Sequence, residues 1–426
     1  MVFNSIKEKF LFFNFPVILF SAIPFFLVTG PFLSDLSVSL ISLLFLTYCL
    51  KKKNFSFFQN NYFYFFICFW LYLIVNSLIN NYNLDSLKIS FFYFRYGVFV
   101  VAVVALLKFD EKFIIYFFYC TFICFFVLNV DGFYQYFNGE NIFGYKVSPG
   151  NRISSFFGDE HILGSYLSRL WPIFFGLSIF IFKKKNNLFY PVFIIFILSE
   201  TLIFLSGDRT AFFYINLSAI FVILFSKNLL KLRLVTLSCS ILLIIIISLI
   251  NPSAKERVFD KTLSQMNIVN QNENQQENIY IFSKQHTHHY LTAFRMFLDN
   301  KILGVGVKNF RYFCSNKKYE ESNLSCSTHP HNTYIQLLSE TGIIGFLFLI
   351  SILFYFFKNL FKHLILRIKG KYLFTDLEVC ILSAIAIYLW PFAPTANIFN
   401  NWLNIIMIIN LPFLIWSRSL KKHKYQ

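Results

Sequence analysis

Charge is what this sequence has least of. Only 14% of its 426 residues are Asp, Glu, Lys or Arg, where a water-soluble chain carries about a quarter. That shortage, beside 57% hydrophobic and 21% aromatic residues, excludes a soluble globular protein. No small-residue cleavage site follows the first apolar run, which begins after Lys7 and Lys9, so a retained helix is expected there rather than a removed signal peptide. No internal repeat is visible. No loop carries an Asp-x-Asp pair of the sort that holds a divalent ion on a nucleotide sugar. Isolated strands are not expected, because they cannot satisfy their backbone groups in lipid.

What the chain does have is apolar runs of about 18 residues or more, the length that crosses a hydrocarbon core as helix. They predict an all-α polytopic membrane protein of about twelve transmembrane helices. The spans fall at roughly 10–28, 33–50, 61–79, 89–107, 113–130, 162–182, 189–206, 210–226, 234–250, 333–357, 373–391 and 398–416. The whole chain 1–426 reads as one membrane domain, with a long loop 251–332 inserted between the ninth and tenth helices.

The net charge of +17 would suit a nucleic-acid partner, but its placement follows membrane topology instead. With a cytoplasmic N-terminus, Lys51 to Lys53, Lys108, Lys112, Lys183 to Lys185, Lys227, Lys231 and Arg233 all fall inside. So do Lys358, Lys362, Arg367, Lys369, Lys371 and the tail Arg418, Lys421, Lys422 and Lys424. The opposite short loops keep few cations, chiefly Lys88, Lys146, Arg152 and Arg209. Both termini are therefore expected in the cytoplasm and the long loop on the oxidising side, where a disulfide persists. Six of the eight cysteines lie in predicted helices, where a free thiol behaves as a small apolar group. The other two, Cys314 and Cys326, share the long loop and are expected to pair.

Asn251-Pro252 ends the ninth helix, since proline cannot continue it. Residues 264–278 are rich in Asn, Gln and Glu and are expected to be mobile. From His286 to Asn300, Tyr290, Leu291, Phe294, Phe297 and Leu298 follow helical spacing, with His288, Thr292, Arg295 and Asp299 on the opposite face. That pattern predicts an amphipathic helix lying on the membrane or on the bundle. The two glycines of Leu303-Gly304-Val305-Gly306 turn the chain and are weak support for phosphate binding.

The polar residues that lipid tolerates carry the functional signal. Asn332, Gln336 and Glu340 recur every four residues, one helical face running inward from His331. Glu340 needs a partner, either a structural arginine or a functional group. His331, with an ordinary pKa near 6.5, is able to be neutral at working pH and take a proton from a hydroxyl; capping a helix end is the other reading. Arg209, after Gly207 and Asp208 at a helix start, suits phosphate oxygens, or snorkels to the interface. Arg95 lies inside the fourth span and needs a partner, Glu340 being one candidate. His286, His288, His289, His329 and His331 match no zinc-ligand spacing, so no metal is expected.

These residues resemble the signature of the bacterial O-antigen ligase and O-antigen polymerase superfamily. His329-Pro330-His331-Asn332-Thr333-Tyr334 followed by Glu340-Thr341-Gly342 is similar to its histidine block, and Ser206-Gly207-Asp208-Arg209 to its Ser-Gly-x-Arg helix start. Arg295-Met296 through Gly306 and Asn309-Phe310, and Asn151-Arg152 through Gly158, resemble two further segments. The resemblance implies a metal-independent inverting glycosyltransferase of the bacterial inner membrane that needs no cofactor. It implies transfer, at the periplasmic face, of a glycan from polyprenyl pyrophosphate to a sugar hydroxyl of lipid A core. In that scheme His331 is the catalytic base and Arg209 engages the pyrophosphate, with His329, Asn332, Gln336, Glu340, His288 and Arg95 in support. Many relatives carry an arginine just before the loop helix, where this chain has Gln285-His286-Thr287-His288-His289; Arg295, Arg311 or a protonated histidine is expected to replace it. An O-antigen polymerase is the alternative enzyme, and a multi-helix transporter the alternative class. Against the transporter, the polar groups gather at one face and no two similar halves appear.

Overall fold

A computed structural model describes residues 1–80, 82–182, 189–250, 253–260, 263–264 and 282–422. The segment 264–278, save Ser264, lies outside the described residues, as do Lys183 to Lys185 and Lys424. The described chain is all helix and loop, with two isolated backbone bridges, Glu140 to Lys146 and Ser148 to Arg152. Nine helices are long and apolar enough to cross a membrane among the described residues. They are α1 (Ile6–Val28), α2 (Pro31–Lys52), α3 (Asn61–Asn80), α4 (Leu84–Phe109), α5 (Phe113–Asn138), α6 (Leu163–Phe182), α9 (Leu230–Ile250), α11 (Thr333–Ile368) and α13 (Asn401–Leu420). Two shorter apolar helices, α7 (Phe189–Leu205) and α8 (Arg209–Phe225), lie between α6 and α9. The protein is thus a polytopic all-α membrane protein.

The remaining long elements are α10 (Lys284–Asp299) and α12 (Asp376–Tyr388). α12 starts from a capping box in which Thr375 and Glu378 satisfy each other's backbone N–H groups. At about 1.5 Å per residue its 13 residues span only about 20 Å, short of the full crossing expected over 373–391.

α6 is the central helix, packed against α5, α7, α8 and α12. Its Trp171, Phe174 and Phe175 are fully buried and interlock with Phe196 of α7 at centroid distances of 4.9–5.2 Å. Residues such as Phe354, Phe357 and Phe361 on α11 and Leu249 and Ile250 on α9 stay exposed. Such exposure fits a surface solvated by lipid tails.

Two charged residues sit differently from the sequence-based expectation. Arg233, expected in a loop, is fully buried on α9 and pairs with Glu200 of α7, its guanidinium 4.4 Å from the Trp171 ring centroid. Arg95 meets not Glu340 but Asp35 of α2, donating from Nε at 3.0 Å and Nη2 at 2.7 Å. Its Nη1 also donates to the Phe92 carbonyl at 2.6 Å, because the helix is interrupted at Tyr93 and leaves that carbonyl unspent. Arg95 therefore ties α2 to α4 rather than supporting the histidine block.

α11 is kinked. Gly342 has φ 63° and ψ −166°, a backbone region open essentially to glycine alone. The 301–306 turn closes on that kink: Val305 N donates to Ser339 O at 2.8 Å, Gly306 N to Glu340 O at 2.9 Å and Ile343 N to Lys301 O at 2.8 Å. A Cβ on Gly342 would lie 2.2 Å from Ile302 O. The glycine-rich turn is thus a clasp on α11, a structural duty distinct from phosphate binding.

Candidate active site

The starts of α6, α8, α11 and α13 and the ends of α7 and α12 meet at one end of the bundle, and α10 lies across it. α10 begins at Ser283, whose hydroxyl accepts from His286 N and lies 2.8 Å from His286 Nδ1. The helix turns His289, Thr292, Ala293 and Met296 inward, not the Leu291, Phe294 and Leu298 set, which is exposed. Thr292, placed on the polar face by periodicity, is buried, because the protein core recruits the small and polar stripe.

Four imidazoles converge between α10 and the start of α11. The His329 and His331 rings are 4.0 Å apart between centroids, His331 and His286 5.3 Å, and His331 and His289 5.3 Å and nearly parallel. His331 itself has φ 56°, an uncommon left-handed conformation for a residue with a side chain. It is held there because Thr395 N donates to its carbonyl at 2.8 Å and Ser327 Oγ lies 2.9 Å from its Nε2. Burial, and then the neighbouring His289, lowers the His331 pKa from 6.5 to about 4. Burial first and His331 second lower His329 to about 3 and His286 to about 4. The cluster is therefore neutral at pH 7. His289 is fully buried against the backbone of Leu324 and Cys326, without a well-formed hydrogen bond from either ring nitrogen. Among the described residues, no group of three or more His, Cys, Asp or Glu is arranged to hold a metal ion.

Beside the imidazoles lies a cluster of arginines around the Ser206-Gly207-Asp208-Arg209 turn. Asp208 caps α8, accepting from Ala211 N at 3.1 Å, and Arg209 follows at the first helical position. Arg152 donates from Nε to Ser206 O at 3.2 Å, and Arg257 from Nε to Gly207 O at 3.2 Å. Gly207 has φ 62°, and a Cβ there would sit 2.8 Å from Arg257 Cδ, so glycine lets the two arginines close over the turn. Arg152 lies close to Arg257 and Arg209: its pKa is lowered by burial first and then by Arg257, with a smaller effect of Arg209. His286 feels Arg209, so the arginine and histidine clusters adjoin. A helix start with its dipole and three guanidinium groups make this turn electropositive, the chemistry that suits an anion.

The other sequence-selected residues have different surroundings. Asn332 caps α11, accepting from Tyr334 N at 2.9 Å and Ile335 N at 3.2 Å, and donates to Pro391 O at 2.9 Å. Gln336 donates to Asn397 Oδ1 and to Glu340 Oε2, each at 2.9 Å. Glu340, fully buried, accepts from Phe310 N at 3.1 Å. This stripe binds the 301–310 clasp and the 391–398 segment to α11; no arginine side chain pairs with Glu340 among the described ion pairs. Arg295 is exposed, ion-paired with Glu321 and bonded to Glu320 O at 2.9 Å. Arg311 lies on a short helix (Phe310–Phe313) near Glu340 and His329. His288 lies on the rim of α10, its Nδ1 2.8 Å from Ser322 Oγ, and is not among the imidazoles around His331. Cys314 and Cys326 form a disulfide with Cα atoms 5.0 Å apart, closing the loop that leads into Ser327 and His331.

Arg257 and Arg152, which the sequence did not mark as candidates for an anion, stand with Arg209 at this turn. The family resemblance implies a cation just before α10, whereas Arg257 stands 29 positions before His286 and only folding brings it to Gly207. No curated protein matches the chain. Residues 192–350 match the family model described as O-antigen ligase. That span, which is similar to O-antigen ligases, holds Arg209, Arg257, α10, the disulfide loop, His331 and the kinked start of α11 of a multi-pass all-α membrane protein.

Proposed function

We propose that the protein is an O-antigen ligase-like glycosyltransferase that moves a glycan from polyprenyl pyrophosphate to a sugar hydroxyl of lipid A core. The adjacency of the three-arginine turn to the neutral histidine cluster carries this reading. The diphosphate of the donor sits on Arg209, Arg257 and Arg152 at the start of α8; the hydroxyl of the acceptor approaches His331. If Ser327 accepts from Nε2–H of His331, Nδ1 keeps its lone pair and takes the hydroxyl proton. The acceptor oxygen then attacks the anomeric carbon from the face opposite the diphosphate, the bond to the diphosphate oxygen breaks with its electron pair, and configuration inverts. Guanidinium groups stabilise the charge on the leaving group, as a metal ion would elsewhere. A helix-lined site at the end of the bundle suits a donor whose tail stays in lipid. The distribution of lysines supports a periplasmic position for that end, at the inner membrane, with both termini in the cytoplasm.

The test is a deletion strain of the source bacterium, complemented with wild type, His331→Ala or Arg209→Ala. Uncapped core in the deletion strain, restored by wild type alone at equal protein levels, is the expected result. Core bearing a single repeat unit would assign polymerisation instead. Full-length surface polysaccharide in the deletion strain would sink both enzymatic readings.

A further inference from the structure

Arg169 of α6 is a buried cation that no motif selects. Its residue is 5% exposed. None of the described ion pairs includes it, and its Nε and Nη1 find no hydrogen-bond partner. Instead its guanidinium lies between two aromatic faces, 4.8 Å from the ring centroid of Tyr214 on α8 and 5.1 Å from that of Tyr388 on α12. A charge with no carboxylate partner among the described residues is costly inside a membrane domain and is retained where it serves a purpose, and contact with two tyrosines, including a side-chain hydrogen bond to Tyr214, recovers only part of that cost.

What the sandwich fixes is the floor beneath the histidines. Tyr214 donates its hydroxyl to Pro394 O at 3.4 Å. The next residue, Thr395, donates N–H to His331 O at 2.8 Å, places its hydroxyl 3.0 Å from that of Thr333, and offers its carbonyl to His329 Nε2 at 3.3 Å. Tyr388 ends α12 immediately before the segment whose Leu389 and Pro391 carbonyls accept from Tyr334 and Asn332. Both clamped rings thus anchor the 389–395 segment, and that segment holds His331 in its left-handed conformation.

We propose that Arg169 is a positioning residue for the transfer: by clamping Tyr214 and Tyr388 it sets the 389–395 segment that orients His331. The proposal rests on the reading of His331 as the base. It places Arg169 away from the donor, in contrast to Arg209 and Arg257.

The experiment uses the full-length protein in membrane vesicles, with Arg169→Met, Arg169→Lys, Tyr214→Phe and the Arg169→Met/Tyr214→Phe double variant. Transfer is measured against donor concentration, and the rate of His331 acylation by diethyl pyrocarbonate is read separately by peptide mass spectrometry. Arg169→Met is expected to lower kcat 10- to 100-fold with donor KM unchanged and to speed His331 acylation several-fold. Arg169→Lys should recover part of both, Tyr214→Phe should show a smaller loss in the same direction, and the double variant should be no worse than Arg169→Met, because the two act in one chain of contacts. A raised donor KM with unchanged kcat and unchanged acylation would overturn the proposal and make Arg169 a diphosphate contact. Unchanged kcat and unchanged acylation would overturn it outright. Faster acylation with unchanged kcat would uphold the positioning of His331 while removing His331 as the base. If Arg169→Met does not accumulate, Arg169→Lys and Tyr214→Phe carry the same comparison.

Discussion

The His329 and His331 rings lie 4.0 Å apart, tilted by 43°, in a cluster too enclosed to hold two charges. Their folded-state pKa values, about 3 and about 4, lie below the ordinary 6.5. The unfolded chain therefore binds more protons than the folded one between about pH 6.5 and about pH 4, and stability falls as pH drops through that window. Thermal unfolding in detergent should show a steady loss of melting temperature from pH 6.5 to pH 4 and little change from pH 7 to pH 8. Transfer should hold its neutral rate at pH 6 and halve only near pH 4; a midpoint near 6.5 would contradict a buried neutral His331.

The three arginines around Gly207 should separate from Arg295 in function. Arg257→Ala and Arg152→Ala are each expected to lower transfer about 100-fold, the scale of losing one charge-stabilising donor. Arg295→Ala, which removes an exposed pair with Glu321, should leave transfer within about twofold, since exposed ion pairs contribute little. Initial rates in vesicles at equal protein level would reveal an inverted order.

Glu340 is predicted to stabilise rather than react. Glu340→Gln keeps the shape and an acceptor for Phe310 N, so transfer should stay within a few-fold of wild type. Glu340→Ala strands that N–H and the Gln336 amide and should cost about 1–3 kcal/mol, seen as a lower melting temperature. A 1000-fold loss of rate in a fully folded Glu340→Gln variant would return Glu340 to the chemistry.

Gly342→Ala should be more damaging than its size suggests. The new methyl group meets Ile302 O at 2.2 Å and Ile302 C at 2.4 Å, both backbone atoms, in a conformation that alanine avoids. The strain alone is about 1–3 kcal/mol, and relieving it opens the 301–306 clasp. Limited proteolysis within residues 300–310, faster in the variant than in wild type, is the expected result.

Cleaving the Cys314–Cys326 bridge frees a loop of sequence separation 12, which should cost roughly 3 kcal/mol. Cys314→Ser/Cys326→Ser is expected to melt earlier and to lose part of its transfer activity, because the loop delivers Ser327 to His331. Thiol labelling of the wild type without reductant should leave both cysteines unmodified.

The helices and the polar blocks were legible in the sequence because both depend on local order. Apolar runs mark the long helices, and His329, His331 and Arg209 stand out against an apolar background. The partners were not legible. Arg95 had Glu340 as a candidate by charge alone, but Asp35 is the carboxylate that packing brings to it. Arg295 looked apt for phosphate, yet its helix face turns it to Glu321, and Arg257 reaches Gly207 from a segment that carries no recognisable motif.

By itself, the order of residues determined that the chain lies in a membrane as a bundle of helices and that its few titratable groups gather in the segments between them. Only tertiary structure decided that His286 and His289 stand beside His331, that three arginines share one turn, and that Arg169 lies against Tyr214 and Tyr388. Helix formation follows from periodicity over a few residues, whereas which groups meet depends on contacts between distant segments, 180 positions apart for Tyr214 and Pro394 and 375 for Trp402 and Leu27, and those are fixed by packing.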